Sequence, residues 1–322
     1  MADAAAKIEL GLQKLCVSSR VYHTIRGSES WEPLPRSHAP LPPSFLPLSS
    51  FVRLSHRSSL ENIGLGVAVG TIEVCLLQPM LYCKNATQQG LPIFVSPTVY
   101  YRGLTMSVTN MSILTAIQFP LTGFVQKLFT GGEARKLSPF EQIGAGFLGG
   151  VGSGVACAPM ELVLIQQQRF GTPLLATPGK ILSVCGSQPA GGLFRGFLMA
   201  CGREGLFTSG YMGVAPSLGA YLREDQGCSP YVAKMGGSIF SGILAASVSH
   251  PLDTVKTCMQ GDIQKEKYGT VSQTFSALLK EEGPVRFFRG WTWRTGRMCI
   301  AMFLMNECRL VLGPTLFPHH WA

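Results

Sequence analysis

The chain reads as an all-α membrane protein whose six apolar segments fall into three repeated modules, and three observations carry that reading. A proline is followed nine residues later by a glutamine three times: Pro79 and Gln88, Pro159 and Gln168, Pro251 and Gln260. Each block is followed by an aromatic–Arg–Gly triplet, namely Tyr101-Arg102-Gly103, Phe194-Arg195-Gly196 and Phe288-Arg289-Gly290, whose glycines are almost evenly spaced. Such a period describes the architecture before any single residue does. Finally, 46% of the residues are hydrophobic and only 14% charged, with 37 glycines and a mean hydropathy of +0.23. A soluble surface needs roughly a quarter of its residues charged.

In chain order, residues 1–55 carry Pro33, Pro35, Pro40, Pro42, Pro43 and Pro47, which forbid a continuous helix or strand, and read as a flexible extension. Three modules follow, at 56–133, 134–228 and 229–322. The apolar segments run near 60–84, 104–129, 138–168, 197–222, 233–260 and 291–312. Each approaches the roughly 20 residues that cross a bilayer core as a helix. An even number of crossings places both termini on one side. Small residues such as Gly64, Gly66, Gly70, Gly144, Gly146, Gly149 and Gly150 suit close helix packing. The run from Gly144 to Gly149 also matches a dinucleotide-binding spacing, but no strand precedes it, and helix packing is the better reading.

A net charge of +9 suits anionic lipid or an anionic substrate, and no basic run interleaved with aromatics points to nucleic acid. Ten cysteines without a CxxC pair, and six histidines without ligand spacing, give no metal site or disulfide framework. The cysteines read as apolar fillers of a reducing compartment. No nucleophile–base arrangement suggests an enzyme, and no cofactor is implied.

Proline in a membrane helix removes a backbone donor and kinks the axis. Three kinks can bring helix ends together and close one mouth of a cavity. Two and five residues after the prolines stand Leu81 and Lys84, Glu161 and Leu164, Asp253 and Lys256. Acid and base so spaced sit nearly one turn apart, and under threefold symmetry the acid of one module can meet the base of the next.

The order of proline, charges, glutamine and aromatic–Arg–Gly resembles the mitochondrial carrier family. Pro251-Leu-Asp253-Thr-Val-Lys256, Glu282-Gly283 and Phe288-Arg289-Gly290 carry the likeness without a gap. Within the family, Ile72-Glu73-Val74-Cys75, Met259-Gln260-Gly261 and Arg294-Thr-Gly296-Arg297-Met-Cys299 resemble the citrate (tricarboxylate) carriers. The resemblance implies six transmembrane helices, three short matrix helices and threefold pseudosymmetry about a central cavity.

The pairing direction it implies joins Glu161 to Lys256 and Asp253 to Lys84, leaving Leu81 with Leu164. Both charges of the third bridge are missing together, so no orphan charge is left in a poorly solvated gate. Gln88, Gln168 and Gln260 are expected to brace these bridges. Arg102-Gly103, Arg195-Gly196 and Arg289-Gly290 are expected to begin the even-numbered helices, where exposed amides favour phosphate and cardiolipin becomes a candidate ligand.

Seven residues beyond those glycines, about 10 Å into the membrane, stand Asn110, Arg203 and Arg297, with Glu204 beside Arg203. They match the family's contact positions. Membrane-buried arginines face a watery cavity or a partner, and two at equal height favour an anionic substrate. Glu73 lies three turns before Lys84, and so faces the same cavity. The family's second gate leaves only remnants, at Phe124–Lys127, Tyr221–Glu224 and Asn306–Arg309.

The expected protein is a monomeric carrier of the mitochondrial inner membrane that exchanges tricarboxylates or dicarboxylates by alternating access. An amino-acid or carnitine-type substrate, with Glu204 on its ammonium group, is the second reading. A carrier-fold adaptor without transport is the third.

Overall fold

A computed structural model describes residues 59–131, 135, 137–185 and 192–316, with side chains omitted at 59–67 and at scattered positions beyond 300. The proposed 1–55 extension and the His319-His320 pair lie outside these residues.

Six long helical rods dominate. They are α1 (Ser59–Gln89), α3 (Leu104–Thr130), α4 (Pro139–Phe170), the pair α6 (Phe197–Thr208) and α7 (Ala215–Glu224), α8 (Pro230–Gly261) and α10 (Trp291–Leu316). Between them lie the short helices α2 (Pro97–Tyr100), α5 (Ala176–Cys185) and α9 (Val271–Glu282), all at one end of the rods. No strand occurs among the described residues.

Three stretches are long and apolar enough to span a membrane by composition: 97–130, 139–170 and 230–261. The other rods fall short of the six apolar crossings expected, and their sequences show why. Glu73 and Lys84 in α1, and Arg294 and Arg297 in α10, lower the hydropathy of those rods, and the fourth is divided into helices of 12 and 10 residues.

Pro79, Pro159 and Pro251 lie inside α1, α4 and α8. The fourth rod is interrupted differently. Residues Ser209–Val214 form a π-helical run between α6 and α7, directly before Pro216. Pro216 cannot donate the amide that an uninterrupted helix would need, and the widened turn absorbs that loss.

Caps fix the rod starts. Ser138 and Glu141 form a capping box at α4, Ser229 caps α8, and Thr270 with Gln273 does the same for α9. The glycine-rich face of α4 is buried between two neighbours. A Cβ at Gly150 would lie 2.5 Å from the Glu204 carbonyl oxygen, and one at Gly154 would lie 2.9 Å from Cys201 Cα. On another face, Gly149 abuts Thr122 of α3. Only hydrogen permits backbones to approach this closely, so packing accounts for the glycine run.

One cysteine departs from the expectation of isolated thiols. Cys228, buried beside Leu222 and Ala233, is disulfide-bonded. Cysteine spacing alone cannot reveal such a bond.

Candidate functional site

The three triplet glycines set the frame. Gly103, Gly196 and Gly290 have φ of 78°, 73° and 81°, the left-handed region, and immediately precede α3, α6 and α10. Each rests on the helix of a different module. A Cβ at Gly103 would lie 2.6 Å from Leu164 Cδ1, one at Gly196 would lie 3.5 Å from the Lys256 carbonyl oxygen, and one at Gly290 would lie 3.0 Å from that of Lys84. The contacted residues are all five positions beyond a kink proline.

The carbonyls just ahead of these glycines are also held. Gln78 donates to the Arg102 carbonyl at 3.3 Å, and the His250 ring meets the Arg289 carbonyl at 3.0 Å. Both side chains directly precede a kink proline. The equivalent residue ahead of Pro159 is Ala158, which has no polar side chain. There Gln260 reaches across from α8 to the carbonyls of Ala158 and Arg195, at 3.4 and 3.3 Å.

Within this frame the charged residues converge. Lys84 Nζ lies 2.6 Å from Asp253 Oδ2, and Lys256 Nζ lies 2.9 Å from Glu161 Oε2. All four residues are nearly or wholly withdrawn from water except Glu161, whose side chain is 12% exposed. Asp253 also has Lys256 at 3.6 Å, Arg294 at 3.5 Å and Arg203 at 3.7 Å. Leu164 occupies the third position, packed beneath Gly103.

The glutamines divide. Gln88 donates to Asp253 Oδ2 at 3.0 Å and to Thr254 Oγ1 at 3.1 Å, alongside a bridge as expected. Gln168 does not touch a bridge; its Oε1 accepts from Asn85 Nδ2 at 2.6 Å. Gln260 does not either, because it substitutes for the side chain that Ala158 lacks. The common offset supplied a place on each helix, and the local neighbours chose the partner.

One step deeper, Arg203 Nη2 meets both Glu161 Oε1 and Glu204 Oε2 at 2.6 Å. Arg203 therefore belongs to the bridge layer as well as to the cavity reading. Glu204 is 3% exposed and is further held by Gln118, which in turn contacts Thr208 and accepts from Tyr211 Oη at 2.5 Å. Arg297 Nη2 binds Glu73 Oε1 at 3.0 Å, the pairing the three-turn spacing allows. Asn110 makes no such contact, and its Oδ1 is buried without a hydrogen-bond partner, as are Arg203 Nε and Arg297 Nε. These unmatched groups are where a bound solute would find donors and an acceptor.

Arg294 escaped the seven-residue ruler because it lies four residues beyond Gly290. It donates to Ser249 Oγ at 2.7 Å and faces Asp253. The central charges are thus Lys84, Arg203, Lys256, Arg294 and Arg297 against Glu73, Glu161, Glu204 and Asp253.

Two triplet arginines are engaged by the protein itself. Arg195 is buried and donates to the carbonyls of Met259 (2.6 Å), Gly269 (3.4 Å) and Tyr268, stitching the α8–α9 connection to α6. Arg289 pairs with Glu282 at 2.5 Å. Arg102 is exposed and borders Gly171. Backbone carbonyls and a carboxylate thus occupy two of the three guanidinium groups.

Comparison with known proteins places the chain. Residues 228–307 match the family described as mitochondrial carrier protein. Over 287 residues it is 28% identical to the mitochondrial tricarboxylate transport protein of Rattus norvegicus, covering 80% of this chain and 90% of that one. It is 26% identical over 284 residues to a tricarboxylate transporter of Gibberella moniliformis, covering 79% and 90%. A shorter match, 27% over 199 residues, covers 61% of this chain and 29% of the human mitochondrial electrogenic aspartate/glutamate antiporter. The third module thus matches the mitochondrial carrier family, and most of the chain is similar to proteins named as tricarboxylate transporters.

Proposed function

We propose that this carrier moves small carboxylates, tricarboxylates or dicarboxylates first, in exchange for one another across the mitochondrial inner membrane. The modules act as three pseudosymmetric hairpins, with boundaries near 56–133, 134–228 and 229–322, and the short-helix end faces the matrix. The observation that carries the reading is the buried cluster of five cations and four carboxylates between the rods. Such a cluster is costly in a membrane unless it serves a solute path.

Lys84–Asp253 and Lys256–Glu161 form the matrix gate, which is shut in this conformation. An entering carboxylate competes with Glu161 and Glu204 for Arg203, and with Glu73 for Arg297. Loosening those internal pairs is how binding would be coupled to gate opening, since a ligand shifts a conformational equilibrium only by its differential affinity.

The test is uptake into liposomes bearing the purified protein, with citrate, malate, oxoglutarate, ornithine and carnitine as substrates. Citrate or malate exchange is expected, abolished in Arg203→Ala and in Arg297→Ala. Uptake of ornithine alone would refute the carboxylate assignment. The Arg203–Glu204 contact, suited to a substrate bearing both a carboxylate and an ammonium group, supports an amino-acid-type cargo as the second reading.

A further inference from the structure

We propose that a cavity of about 110 Å3 at the short-helix end is a separate docking station for a compact polyvalent anion, held between Arg169 and Lys180. One residue beyond each of the three glutamines stand Gln89 on α1, Arg169 on α4 and Gly261 on α8. These three residues meet. Arg169 Nη1 donates to Gln89 Oε1 at 3.4 Å, and a side chain at Gly261 would strike Gln89 and lie 3.0 Å from Arg169 Nη1. Glycine therefore leaves the third place vacant, and Gly261 lines the cavity together with Arg169 and Lys180.

Both cations rest on one aromatic ring. Lys180 Nζ lies 4.6 Å and Arg169 Cζ 5.5 Å from the centroid of Phe170, which is half exposed. Three basic residues at this end are matched by carboxylates: Lys267 and Arg286 by Glu281, and Arg289 by Glu282. No carboxylate of the described residues lies within salt-bridge distance of Arg169 or Lys180.

Two acids border the cavity. Asp262 accepts from the backbone amides of Glu266, Lys267 and Tyr268, which hold its carboxylate within its own loop. Glu266 is exposed at the rim, where water and salt screen it. The site thus offers two cations with no carboxylate partner among the described residues, one aromatic face and room for a single phosphate- or carboxylate-bearing group.

That this station serves solute arriving from the matrix rests on the function proposed above; the binding itself does not. Pyrophosphate is the probe, followed by its effect on thermal unfolding of the full chain in detergent. Saturable stabilisation is expected, weakening as salt rises. The dissociation constant should increase roughly tenfold in Arg169→Gln/Lys180→Gln, as loss of charge-assisted contacts predicts. Lys180→Gln alone alters an exposed residue and should give a smaller increase in the same direction.

Unchanged affinity in both variants overturns the proposal. So does stabilisation that vanishes once the protein is moved from neutral-lipid vesicles to vesicles containing anionic phospholipid, since the occupant is then a lipid headgroup. These outcomes are read without any transport, so failure of citrate or malate uptake would refute the carrier function and leave the anion site standing.

Discussion

Where α1 meets α4, the layer of the bridges is neutral; where either meets α8, it is charged. The first seam has the Asn85–Gln168 side-chain hydrogen bond, and the Arg169 guanidinium reaches Gln89 only beyond it. The other two seams converge on Asp253, which gathers Lys84, Lys256, Arg203 and Arg294, and on Glu161. The contrast teaches that threefold positions need not carry threefold chemistry. A neutral seam is indifferent to salt and protonation, whereas a charged hub is stable only while every member keeps its partner.

The largest effect should come from breaking the hub. Asp253→Asn strands Lys84 and Arg294 with unmatched buried charge and leaves Lys256 only Glu161, and destabilisation of about 3–5 kcal/mol is expected by thermal unfolding. A loss under 1 kcal/mol would mean that water already reaches the hub.

The neutral seam is tested by charging it. Leu81→Asp should impair transport by placing an unpaired carboxylate in the gate, and adding Leu164→Lys should restore most of it. Equal transport rates in the single and double variants would rule out contact between those two positions. Next, Gln260→Leu leaves the Ala158 and Arg195 carbonyls without their donor, and should cost about 1–3 kcal/mol. Gln168→Leu removes the acceptor of Asn85 and should have an effect of similar size, but one insensitive to salt. A salt-dependent loss at Gln168 would blur the distinction between the seams.

The smallest effect lies outside the membrane. Burial raises the Glu281 carboxyl, but hydrogen bonds from Arg286, Lys267 and Tyr268 outweigh it and leave it lowered to about 2 from an ordinary 4.5. A depressed folded value means that its stabilisation is fully present above about 4.5 and disappears as pH falls towards 2. Near-ultraviolet dichroism of the α9 region should change over that window in the native protein, and the change should flatten in Glu281→Gln.

Much of the frame was legible because it is periodic. The kink prolines, the triplet glycines and the charged positions recur at fixed offsets, and the family resemblance supplied the direction in which Lys84 meets Asp253 and Lys256 meets Glu161. Counting helical turns placed Glu73 toward the cavity, and packing chose Arg297 as its partner. What recurrence hides is the exception. Nothing in the offset of Gln260 announces that Ala158 has left two carbonyls in need of a donor. Arg294 lies off the ruler, one turn from its glycine, and its link to Asp253 exists only once α8 and α10 are packed. The π-helical run before Pro216 arises from hydrogen-bond slippage, which residue type alone does not specify.

The seats of the three triplet glycines have a mechanical consequence. Gly103 leans on Leu164, Gly196 on Lys256 and Gly290 on Lys84, so the leaning runs around the axis and returns to its start like a collar of overlapping shingles. No shingle can lift without sliding past the one beneath it, and a methyl group at Gly103 or Gly290 would wedge the collar open.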